Sequence, residues 1–104
     1  MGDTLPRLKL AAVQAASAHL DREASVAKAC ALIAQASAAG AQVIAFPEGF
    51  IPAHPCWFSV RPPTDKVSLG LSQQLFQNAV VIPSEATHTL GDACRQANIT
   101  AVIG

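Results

Sequence analysis

Gly40-Ala41-Gln42-Val43-Ile44-Ala45-Phe46-Pro47-Glu48-Gly49-Phe50 is the stretch that decides how this chain folds. Its apolar centre, Val43-Ile44-Ala45-Phe46, is short, with a glycine ahead of it and a proline directly after it, which marks a buried strand. A carboxylate, Glu48, stands where that strand stops. In open α/β sheets, side chains just past the carboxyl ends of the strands converge on a crevice, and chemistry collects there. Phe46, Pro47, Phe50, Ile51 and Pro52 hedge Glu48 in sequence. Apolar surroundings disfavour the charged form of a carboxylate, a direction that suits a general base. A glutamate in this position also serves simply as a turn residue, or caps the amino end of a short helix. The pentapeptide Phe46–Phe50 by itself leaves both readings open.

Upstream, Leu8 to Gln14 reads as a first strand, with Leu8, Leu10 and Ala12 on one face and Lys9, Ala11 and Val13 on the other. Apart from Lys9 both faces are apolar, the pattern of a strand covered on two sides. Ala11, Ala12, Ala15 and Ala16 are small enough to let helices approach closely. Asp21 is a good N-cap ahead of Arg22-Glu23. Val26, Ala29, Cys30, Ile33 and Ala36 or Ser37 then recur at helical spacing, with Lys28 and Gln35 off that face. Gly40 closes the helix, where a left-handed cap suits glycine, and the strand Gln42 to Phe46 follows at once. Strand, helix and strand with short joints make a βαβ unit, so the two strands are expected to be parallel.

Downstream, five of the seven prolines lie between Pro47 and Pro63, together with the single tryptophan. A long irregular segment of this kind inside a compact domain is usually functional. A short helix is expected over Leu69 to Asn78. Val80-Val81-Ile82-Pro83 leads to Ser84, an N-cap for a helix from Glu85 to about Gln96 with Leu90, Ala93, Cys94 and Ala97 on its apolar face. Ile99 to Ile103 closes as a third strand. The order is β-α-β-loop-α-α-β, an α/β fold.

Composition narrows the function classes. The 104 residues suffice for one domain, and with 51% hydrophobic and 13% charged residues they imply a buried core. Seven basic and seven acidic residues are scattered, so no basic patch for nucleic acid and no acidic tail is formed. No apolar stretch approaches the roughly 18 residues of a membrane span, and the amino terminus lacks a signal-peptide pattern. Three cysteines without a Cys-x-x-Cys pair fit a reducing compartment. These features predict a cytoplasmic protein with no nucleic-acid or membrane partner. The run Ile99-Thr100-Ala101-Val102-Ile103-Gly104 is unlike a loosely held polar terminus, and three strands are few to bury two helical layers. Residues 1–104 are therefore expected to be the amino-terminal part of a single longer domain, interrupted at its third strand.

Taken together, Lys9-Leu10-Ala11-Ala12-Val13-Gln14-Ala15, the Gly40–Phe50 stretch, Ile51-Pro52-Ala53-His54-Pro55-Cys56-Trp57 and Asn78-Ala79-Val80-Val81-Ile82-Pro83-Ser84 resemble the start of the nitrilase superfamily of carbon–nitrogen hydrolases. The tract after Glu48 is more similar to the nitrile-hydrolysing branch than to the amidase or carbamoylase branches. The resemblance implies a four-layer α-β-β-α sandwich, a Glu-Lys-Cys catalytic set, and no metal or cofactor. A cysteine thiolate attacks the nitrile carbon to give a thioimidate; water adds, ammonia leaves, and a second water hydrolyses the resulting thioester to the acid. Covalent catalysis of this kind splits one hard step into easier ones. The glutamate moves the protons and the lysine stabilises developing charge. Glu48 matches the family's glutamate, whereas the family's lysine and cysteine fall beyond Gly104. The isolated chain is accordingly expected to be inactive, and the full-length protein to be a homo-oligomer, a dimer or a spiral, acting on a small nitrile.

The family's usual Gly-Tyr in the loop is Ala53-His54 here, so His54 and Trp57 are the candidates for shaping the substrate pocket, with loop packing and a half-buried indole as the plainer reading. Cys30 and Cys94 fall on apolar helix faces as small hydrophobes. Cys56 lies in the loop, but spacing supplies no lysine or histidine to activate it, and Lys66 is an ordinary loop lysine. His54 and Cys56 lack a second ligand pair for zinc, and His19 and His88 are expected to face solvent. Two other classes compete. One is a non-catalytic half-sandwich interaction module; the other is a nucleotide-binding doubly wound domain, weakened by the absence of a glycine-rich turn after Gln14.

Overall fold

In the computed structural model, which describes residues 2–104, a parallel three-stranded sheet carries two helices on one face. The elements are β1 (Leu10–Ala12), α1 (Arg22–Ala38), β2 (Val43–Ala45), a 3-10 turn (Cys56–Ser59), α2 (Lys66–Gln77), α3 (Glu85–Ala97) and β3 (Thr100–Val102). Strand order in the sheet is β1-β2-β3, with Ala11, Ile44 and Ala101 level across it. The expected order of elements and the parallel pairing are both present.

Each helix starts where its cap residue dictates. The Asp21 carboxylate accepts from the Ala24 amide at 2.9 Å and opens α1, satisfying one of the donors a helix start leaves free. Gly40 ends it at φ +90, a conformation that only glycine adopts without strain. Lys9 Nζ donates to the Ala39 carbonyl at that same end, where a cation meets the negative pole of the helix. Ser84 and Thr87 form a reciprocal capping box at the start of α3. α2 begins at Lys66, earlier than the expected Leu69, because the Asp65 side chain accepts from the Ser68 amide at 2.7 Å. The strands are shorter than expected, since the ladder is regular only over three residues in each.

The core forms where α1 and α3 meet the sheet. Ile33, Ala41, Ile44 and Ile99 are buried together, with Ala11, Val13, Leu90, Ala93, Cys94 and Ala97 packed against them. One sequence expectation needs correction here. β1 is covered on one face only: Leu8 and Leu10 are exposed, as are Ala12, Ala45 and Val102 on the same side of the sheet. A second, smaller core of Leu20, Ala53 and Trp57 takes Leu71 and Leu75 of α2 against it. α2 packs on this loop cluster, and the molecule is extended, 56 × 34 × 22 Å, with a radius of gyration of 16.3 Å. A compact chain of this length would have about 13 Å.

Candidate active site at the carboxyl end of the sheet

Past β2 the chain leaves the ladder and returns to it. The Phe46 amide donates to the Val102 carbonyl at 2.9 Å, and the Ile51 amide donates to the Gly104 carbonyl at 2.9 Å. Between these anchors Pro47 breaks the strand, since it offers no donor, and Glu48-Gly49 form the turn. Gly49 has φ +64, and a Cβ there would lie 3.1 Å from His54 Cα and 3.3 Å from the Ala53 carbonyl oxygen. Only glycine fits both the left-handed backbone and that close approach. Glu48 thus occupies the tip of a short excursion pinned at one end to Val102 of β3 and at the other to Gly104 just past it, with Ala53-His54 close beside Gly49.

The carboxylate is exposed. The apolar hedge seen in sequence does not enclose it, because Phe46 and Phe50 pack on each other with ring centroids 5.0 Å apart and Phe50 is 2% exposed. Glu48 takes no part in the ion pairs among the described residues, which join Arg22 to Glu23, Arg61 to Asp65 and Arg95 to Asp92. Among the described residues no side-chain hydrogen bond reaches it either, at the place where strands end.

The other expected site residues divide. His54 is exposed, and its backbone abuts Gly49, so the structure brings it beside the Glu48 turn. Trp57 is 4% exposed, more deeply set than the half-buried position expected of it. Its ring N–H donates to Ser72 Oγ at 3.4 Å, and His19 and Phe58 meet the indole edge-on. The packing of α2 on the loop accounts for this burial, with Leu71 and Leu75 against the cluster and Ser72 at the indole N–H. Trp57 anchors the loop that carries His54.

The cysteines lie apart from Glu48 in role. Cys30 and Cys94 are half-buried on α1 and α3, and the Cys30 thiol lies 3.9 Å from the Thr89 carbonyl. Burial pushes the Cys30 thiol up from its ordinary value, with Cys94 adding to the effect. Cys56 is exposed, and Lys66 is the exposed first residue of α2. A cleft of about 460 Å³ opens between the amino ends of α1 and α3, lined in part by Arg22, Val26, Val81 and Glu85, and shares no residue with the Glu48 turn. Sequence reading missed Leu20. It is buried against Trp57 with φ +55, and a leucine gives no advance sign of a left-handed backbone.

Comparison with known proteins bears on this geometry. The carbon-nitrogen hydrolase family model matches residues 9–104. An arylacetonitrilase of Aspergillus niger is 38% identical over 100 residues, covering 96% of this chain and 29% of the relative. A nitrilase of a Bacillus species is 42% identical over 90 residues, 85% of this chain and 25% of the relative. A nitrilase of Pseudomonas syringae is 39% identical over 97 residues, 93% of this chain and 28% of the relative. The chain thus spans less than a third of the length of these curated relatives. With its family model matched across nearly all its residues, from the first strand through the Glu48 turn to Gly104, the chain belongs to the carbon-nitrogen hydrolase family.

Proposed function

We propose that this chain is the amino-terminal part of a nitrile hydrolase and supplies its general base, Glu48. The observation that carries this reading is the excursion between Phe46 and Ile51, fastened at its two ends to Val102 and Gly104, with the exposed Glu48 at its tip. A base held in that way keeps its place while the groups around it react, and placement is a large part of what a catalytic group contributes. The reaction adds two waters to a nitrile and yields a carboxylic acid and ammonia. In it Glu48 takes the proton of the attacking cysteine thiol and later activates water. Lysine and cysteine partners come from residues outside these 104, and the isolated chain releases no ammonia. His54, beside the turn, borders the substrate, and Trp57 holds the loop in shape. Because several relatives are named arylacetonitrilases, arylacetonitriles are the first substrates to try.

The test is ammonia release from phenylacetonitrile by the full-length protein and by its Glu48→Gln variant. The expected loss of kcat is on the order of 100- to 10,000-fold, with thermal stability retained. Turnover at wild-type rate in Glu48→Gln would remove Glu48 from the mechanism. Ammonia release by the 104-residue chain alone would show that the partners need not come from elsewhere.

A further inference from the structure

The Glu48 turn has a second support besides β3. Leu20, in the segment joining β1 to α1, is 8% exposed and shares one buried cluster with Ala53 and Trp57. Ala53 and His54 in turn lie close enough to Gly49, the neighbour of Glu48, that a Cβ there would fall 3.1 Å from His54 Cα. The route from Leu20 to the carboxylate is therefore short: Leu20 through its cluster with Trp57 and Ala53, Ala53-His54 to Gly49, Gly49 to Glu48.

Two features show that Leu20 is held in place rather than merely fitting a gap. Its backbone has φ +55, a left-handed conformation that a branched, bulky side chain adopts only when its surroundings fix it. The segment before it is also tied to α1. Ser25 Oγ donates to the Ala18 carbonyl at 2.9 Å, the Asp21 amide donates to the same carbonyl at 3.0 Å, and Lys28 Nζ donates to the Ala16 carbonyl. Since α1 is packed on the sheet, the segment acts as a bracket whose position is referred to the sheet independently of β3. Ordinary core packing would put leucine here without asking for a strained backbone or for a fastened approach.

We infer that Leu20 is a positioning residue for Glu48: the bracket it ends sets the height of the Glu48 turn above the sheet through Ala53 and His54. This rests on the proposed role of Glu48, and a misplacement of about 1 Å in a reacting group can cost about 100-fold in rate.

The experiment uses the full-length protein with Leu20→Ala, Leu20→Met and Ala53→Gly, the last trimming the same contact from the other side. Two quantities are read: hydrogen exchange of the peptides spanning 46–57, and kcat and KM for phenylacetonitrile. Leu20→Ala is expected to speed exchange in 46–57 while α1 and α3 keep their protection. It is also expected to lower kcat roughly ten- to 100-fold with KM within about twofold. Leu20→Met, which keeps the apolar bulk, restores both, and Ala53→Gly shifts both in the direction of Leu20→Ala. If Leu20→Ala does not fold, Ala53→Gly alone carries the test in the same two readouts. Unchanged exchange in 46–57, or a loss confined to KM, overturns the inference. A wild-type protein inert toward nitriles would sink the proposed function instead, and the exchange data would still decide whether the bracket holds the turn.

Discussion

The two faces of the sheet bear similar side chains and have opposite fates. On one, Ala11, Ile44 and Ala101 lie level under α1 and α3, and Ile44 is 1% exposed. On the other, Leu10 is 68% and Val102 62% exposed, with Ala12 and Ala45 open beside them. Apolar content announces that a face is meant to be covered but says nothing of what covers it. Within this chain the helices supply cover for one side only.

The largest expected effect separates the faces directly. Ile44→Ala should lower the unfolding free energy by about 2–5 kcal/mol, through lost burial and the cavity left behind, as read from urea unfolding. Leu10→Ala in the same 104-residue chain should stay within about 0.5 kcal/mol, since that side chain is already in water. Equal losses would break the comparison by showing that the second face is covered in solution by another copy. In the full-length protein the Leu10→Ala loss is expected to rise toward that of Ile44→Ala. A smaller effect tests how the covered face is held. Ser84→Ala removes one side of the capping box of α3 and should cost about 1 kcal/mol, with faster amide exchange in the first turn of that helix.

The smallest effect lies off the sheet and serves as a control. The Ser68 amide, with Arg61 adding to it, holds the Asp65 carboxyl below its ordinary value. A lowered folded-state value stabilises the fold above the unfolded carboxylate range, and that contribution fades as pH falls through the folded value. Thermal melts of wild type and Asp65→Asn, which keeps a capping oxygen, should therefore differ most above about pH 5 and converge at lower pH. A difference that grows on acidification would reverse the assignment.

Much of this architecture was legible because its signals are local. Asp21, Gly40 and Ser84 act through hydrogen bonds or dihedrals within a few residues, so the bounds of α1 and α3 could be read from them. The position of Glu48 was legible for the same reason, since Pro47 stops a strand wherever that strand lies. Three things were not. The start of α2 at Lys66 depends on Asp65 after two prolines, where the apolar spacing is weak. The exposure of Leu10 depends on which layer lies opposite, and two apolar faces look alike in sequence. The burial of Trp57 and the left-handed Leu20 arise together from packing of three distant segments, and no residue in any one of them announces it.

The fastening of Ile51 to Gly104 has a consequence for the order of events during synthesis. Strand order in the sheet repeats strand order in the chain, so each strand leaving the ribosome meets the edge left by its predecessor. β1 and β2 can pair as soon as α1 has been made, and the Phe46–Ile51 excursion then hangs from β2 with its far side loose. Neither end finds its hydrogen-bond partner until more than fifty residues later, when Val102 and Gly104 arrive. The carboxylate is thus made well before the residues that set its turn in place.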